Sequence, residues 1–120
     1  MVLNVYQIEI QTSSSPHHII YVETGANGTG IKFHVKRVNS QEHMVFSMDH
    51  VSPPGFGSLS TFKSRDFLGR AEDGSLGRIE RVCRTVTPPT TQYDSMGTCN
   101  CLNWVNDAVA ALERDGVIRA

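Results

Sequence analysis

Asn100-Cys101 opens the segment NCLNWVNDAVAALERDGVI, and two stretches upstream, HHIIYVET at 17–24 and IKFHVKRV at 31–38, offer histidines that could serve the cysteine. A thiol beside an imidazole is the minimum machinery for covalent acyl transfer. At its ordinary pKa of about 8.5 a cysteine is only a few per cent thiolate at neutral pH, so a base that takes the proton raises the reactive fraction. A third group on the other ring nitrogen would set the tautomer and orientation of the base, and N–H groups at a helix start would hold the oxyanion. Such a set attacks a small amide, ester or thioester and passes the acyl group to water, an amine or an alcohol. The chemistry requires no cofactor, and no motif suggests one.

The element that must present the cysteine is a C-terminal helix. Counting from Cys101, apolar residues recur at Val105, Ala108, Val109 and Leu112, while Asn103, Asn106, Asp107, Glu113 and Arg114 fall on the other side. That spacing predicts an amphipathic helix with Asn100 as N-cap, Asp115-Gly116 as the stop and Cys101 heading the buried stripe. Peptide dipoles at a helix N-terminus favour a thiolate there. The elements that must present the histidines are strands. Tyr6, Ile8 and Ile10 alternate with Gln7, Glu9 and Gln11. The stretches 17–24 and 31–38 flank the turn sequence GANGTG and read as a β-hairpin, and MVFSMDHV at 44–51 reads as another strand. A further strand is expected near Phe67-Leu68. Leu76, Ile79, Val82 and Cys83 predict a helix over 75–86 that Pro88-Pro89 ends. The fold class that results is α+β, an antiparallel sheet packed against the helix that carries the cysteine.

A chain of 120 residues with 39% hydrophobic and 19% charged residues is expected to form one domain, 1–120, around a modest core. Lys+Arg 11 against Asp+Glu 12, with no dense basic run, disfavours a nucleic-acid partner. No apolar run approaches the roughly 18 residues of a membrane span, and the start lacks the pattern of a signal peptide, so the expectation is a cytoplasmic protein without an integral membrane anchor. The three cysteines, two of them at 99 and 101, are read as reduced thiols.

The run His17-His18-Ile19-Ile20-Tyr21-Val22, the later His34 ending an apolar strand, and Asn100-Cys101-x-x-Trp104-Val105-Asn106 together resemble the permuted papain-like thiol enzymes. These include the lecithin:retinol acyltransferase-like and NlpC-type groups, in which a pattern like H-W-x-I-Y-V is followed by a strand ending in His and then by N-C-x-x-F-V-N. The resemblance implies a permuted papain-like architecture with Cys101 as nucleophile, His17 as base and His34 as the orienting group. A closer likeness, from His17 to Leu112, is to small fungal proteins of unassigned function that share H-H-x-I-F-V-E-T, V-C-R-x-V-x-P-P and C-Q-x-W.

The residues leave several alternatives open. The position after the proposed base is His18 in place of a large aromatic; alternation puts the two histidines on opposite faces, so only one can meet the cysteine. His17 is the choice here. His34 lies beside His17 only if the hairpin register sets it near Ile19; a turn symmetric about Asn27 would set it nearer Tyr21. His50 beside Asp49 reads as an ordinary surface pair. Zinc on Cys83, Cys99 and Cys101 lacks the paired C-x-x-C spacing. Tyr6 or Tyr21 could donate to an oxyanion, and the PPTTQYD and GFGSLS loops are candidates to wall a pocket. The competing functions are a catalytically silent domain that binds a small molecule or a protein, and an enzyme that uses the histidine for proton transfer.

Overall fold

Strand β1 (Val2–Gln11) carries apolar side chains on both faces, and that decides its place inside the sheet. Leu3 and Val5 join one core cluster, while Ile8, with Tyr6 and Ile10 packed beside it, joins a second on the opposite face. In the computed structural model, which describes residues 2–11, 16–26, 28–37, 44–53, 55, 62–90 and 100–119, β1 pairs antiparallel with β2 (Pro16–Glu23) on one side and β5 (Phe62–Glu72) on the other. Strands β3 (Gly30–Arg37) and β4 (Met44–Val51) extend the sheet antiparallel beyond β2, giving the order β4-β3-β2-β1-β5. The strand expected near Phe67-Leu68 is thus an eleven-residue edge strand. Two register shifts between Val5 and Tyr6 and between Glu9 and Ile10 irregularise its pairing, a form in which an edge resists pairing with other chains.

Residues His18 to Val22 of β2 are all buried, as expected for a strand covered on both faces. Gly30, which pairs with Glu23 at the start of β3, is required by this packing. A Cβ there would stand 2.5 Å from the Tyr21 ring and collide with the Val22 carbonyl. The Tyr21 hydroxyl donates to the Gly28 carbonyl at 2.6 Å, which ties the ring to the hairpin turn.

A 3-10 turn, Asp73–Ser75, leads into α1 (Leu76–Thr85), and α2 (Asn100–Arg114) follows. Both helices lie against the face of Leu3, Val5, Ile20, Val22, Phe33 and Val35. α2 supplies Cys101, Trp104, Val105, Ala108 and Leu112 to that core, and α1 supplies Ile79 and Cys83. Asn100 is the first helical residue and not a cap outside the helix; its Oδ1 accepts a bond from Asn103 Nδ2 at 2.8 Å. Gly116, at φ 70°, ends the helix as the sequence predicts, with the Val117 N–H donating to the Leu112 carbonyl. No helix among the described residues is long and apolar enough to cross a membrane.

Candidate active site

The hairpin register decides the site. Ile20 pairs with Phe33 and Tyr21 with Lys32, so one step further along the ladder sets His34 beside Ile19 and not beside Tyr21. Since Phe33 and Val35 point at the helices, His34 projects from the other face. His17, which alternates with His18 and Ile20, projects from that same face. The two rings meet there, with His17 Nε2 2.9 Å from His34 Nδ1. On β4, Phe46 faces the helices and Ser47 and Asp49 do not. Asp49 Oδ2 lies 3.0 Å from His34 Nε2 and accepts a second bond from the Ser47 hydroxyl at 2.8 Å.

This chain of contacts fixes the proton positions. A carboxylate only accepts, so His34 Nε2 must donate to Asp49. Neutral His34 then has its lone pair on Nδ1, and His17 Nε2–H must donate to it. The lone pair of His17 is left on Nδ1, where it can take a proton. The premise of neutrality follows from burial. Burial first, then the charge of His34 and of Lys32, pushes His17 down to about 4. His34 is also lowered by burial, against the opposing pull of the Asp49 hydrogen bond. The Asp49 carboxyl is held below its ordinary value by its bonds from His34 and Ser47.

Folded His17 therefore binds fewer protons than the unfolded chain between about pH 6.5 and about pH 4. The unfolded state binds the excess proton, so stability rises with pH across that window, is complete above it, and is lost as pH falls through it. Urea unfolding at pH 7 and pH 5 is expected to give a lower midpoint at pH 5, with a smaller difference in His17→Gln. Equal midpoints in the wild-type chain would contradict the buried, neutral imidazole.

Cys101 is fully buried in the first turn of α2. Its Sγ lies 3.8 Å from the carbonyl of Pro16, the residue before His17 and the first of β2. The thiol thus meets the start of β2 from the side that α2 covers, whereas the His17 and His34 rings lie on the opposite face of the sheet, so the structure brings the two histidines together but not onto the face of Cys101. His18 points to the face that α2 covers, opposite Glu9 of β1, and its buried Nδ1 has no hydrogen-bond partner among the described residues. Burial lowers its pKa while Glu9 raises it. Cys83 behaves as a core hydrophobe, its thiol pushed up to about 12 by burial. Among the described residues no group of histidine, cysteine and acidic side chains could hold a metal ion. Cys99 and most of the PPTTQYD and GFGSLS loops lie outside the described residues.

Asp49 is the member that sequence reasoning missed. The pairing of Asp49 with His50 as surface neighbours is corrected: Asp49 turns to His34, and His50, one residue on, projects the other way and is exposed. The signal was the alternation of MVFSMDHV, which puts Ser47 and Asp49 on one face, but the register of β4 to β3 cannot be read locally.

No curated protein and no solved structure matches the chain. A family model does match, over residues 5–119. The match spans β2, β3, β4 and α2, with every residue named above as part of the site, and the chain belongs to this family of unknown function, DUF6540.

Proposed function

We propose that the protein is a cysteine-dependent acyl-transfer enzyme on a permuted papain-like scaffold, acting on a small amide, ester or thioester. Cys101 is the nucleophile, His17 the base, and His34 and Asp49 position and polarise the base. The observation that carries the reading is the unbroken line from Asp49 through His34 to His17, which orients that imidazole and leaves a lone pair on its Nδ1; Cys101 meets the same strand at the Pro16 carbonyl, from the other face, so the proton must pass around the start of β2.

In the forward step the Cys101 sulfur forms a bond to the acyl carbon while its proton passes to His17 Nδ1. The tetrahedral intermediate then expels the amine, alcohol or thiol, which takes that proton. Water or another acceptor attacks the thioester, gives its proton to the same nitrogen, and releases the thiol. With a conjugate-acid pKa of about 4, His17 is a weak base at rest, so proton transfer accompanies attack. The imidazolium that forms is stabilised through His34 by the Asp49 carboxylate, and dipoles at the start of α2 support the developing thiolate.

A second reading has a specific observation behind it. His18 shares the face of α2, and its buried Nδ1 has no hydrogen-bond partner among the described residues, so it is the rival base. Iodoacetamide alkylation of each cysteine, followed by mass spectrometry against pH, separates the two. Cys101 is expected to react far faster than Cys83, about tenfold slower in His17→Ala, and several-fold slower in Asp49→Asn. A loss confined to His18→Ala assigns the base to His18. A Cys101 that is inert in the native protein removes the nucleophile from the proposal.

A further inference from the structure

The two edges of the sheet are built differently. β5 carries two register shifts, and its outer side is capped at Arg70 by an isolated bridge to Arg119. β4 pairs with β3 along its whole length without a shift, and its sequence MVFSMDHV holds no proline and no lysine. A regular edge without such guards is a template for another strand.

Backbone direction along β4 is fixed at its first residue. The Met44 N–H donates outward to the Pro89 carbonyl at 2.9 Å, and in an antiparallel ladder alternate residues turn both backbone groups to the same side. The N–H and C=O of Phe46, Met48 and His50 therefore point away from the sheet, where they meet no hydrogen-bond partner among the described residues. Met48, at the middle of this row, is 37% exposed.

We infer that β4 pairs antiparallel with β4 of a second copy about a two-fold axis at Met48, joining two five-stranded sheets into one. Register selects the occupant, because the strand complements itself in one register. Outward residues must oppose outward residues, so the choices differ by steps of two. Setting Phe46 against Met48 would set Met44 against His50, whose carbonyl would compete for the N–H that Pro89 holds. Setting Met48 against His50 would set Asp49 against Asp49, and like charges directly opposed repel. Between these lies the register with Met48 opposite Met48. It sets Phe46 against His50, Val45 against Val51, and Ser47 against Asp49, which gives an aromatic, an apolar and a hydrogen-bonding pair on each side of the axis. The strands run together over residues 45–51 and part before Met44 and Pro89 are reached.

The pairing reaches the candidate site. Asp49 already accepts from His34 and from Ser47 of its own chain. Ser47 of the second copy, directly opposite on the same face with its Cα about 4.5 Å away, brings a further donor to the carboxylate that holds His34. A strand pair of this length is at the small end of specific interfaces, so the dimer forms at high protein concentration.

Sedimentation of the full chain from about 10 µM to about 1 mM should show the mass rising from 13.3 kDa toward twice that value. Amide hydrogen exchange should slow with concentration at Phe46, Met48 and His50 and not along β5. Met48→Lys sets two ammonium groups against each other at a position exposed in the single chain, and should weaken association at least about tenfold, ~1.4 kcal/mol. Oxidised glutathione should cross-link Met48→Cys copies through position 48, where a Cα separation of about 5.5 Å suits a disulfide. It should not cross-link His50→Cys copies, where position 50 opposes Phe46. The inference is overturned by a monomer at every concentration, by a dimer that Met48→Lys leaves intact, or by cross-linking of His50→Cys as fast as of Met48→Cys. A chain that stays monomeric while an added extended peptide of alternating valine and threonine protects the β4 amides assigns the edge to another protein, and overturns self-pairing as well.

Discussion

Cys101→Ser is expected to lower kcat/KM on an activated thioester or ester by at least about 10³-fold, and to leave no acylated protein detectable by mass spectrometry. Serine is close to cysteine in shape, so the packing at the first turn of α2 changes little. Its hydroxyl is far harder to deprotonate, and a base held at about 4 by burial cannot make up that difference. The wild-type chain should accumulate a mass increment on the peptide that carries Cys101 when a poor acyl acceptor slows the second step. Activity retained in Cys101→Ser with loss in His17→Ala would transfer the chemistry to proton transfer by the histidine. An unmodified Cys101 with every substrate, together with unchanged binding of a small molecule, would identify a binding domain.

Trp104→Ala is expected to destabilise the fold by about 3–5 kcal/mol, a large fraction of a stability that for domains of this size is of the order of 10 kcal/mol. Trp104 is 1% exposed, lies 5.8 Å from the Phe46 ring, and donates from Nε1 to the Val86 carbonyl at 3.1 Å. It therefore joins three parts of the fold: α2, the sheet through Phe46 and the end of α1. Truncation leaves a cavity among them and strips the Val86 carbonyl of its donor. Urea unfolding should show a lower midpoint with a similar slope. Trp104→Phe should recover most of the loss, since the ring volume returns and only the hydrogen bond, about 1 kcal/mol, stays absent. A loss under about 1 kcal/mol in the alanine variant would contradict this role.

The helix that carries Cys101 was legible because its information is local. Apolar residues at 105, 108, 109 and 112 select a helix and its buried side within a few turns, and Gly116 marks its end. The hairpin of β2 and β3 was legible for the same reason, from β-branched residues on either side of a glycine-rich turn. Composition and periodicity thus sufficed for the α+β class and the antiparallel sheet. The full length of β5 was not readable, because FKSRDFLGRAE lacks clean alternation, and its extended form is set by the pairing with β1.

The site itself divides along the same line. Residue types and spacing nominated Cys101 with the upstream histidines, the resemblance to thiol enzymes singled out His17 and His34 among them, and strand alternation showed that His17 and His18 must part to opposite faces. Which of them meets His34 depended on a one-residue choice of register, since each step along a ladder moves a side chain to the other face. The register Ile20 to Phe33 made the contact at 2.9 Å. Asp49 entered only through the β3–β4 pairing. Periodicity is a property of neighbours in the chain and survives in the sequence; register and convergence depend on free energies summed over distant segments, and only the folded sheet decides them.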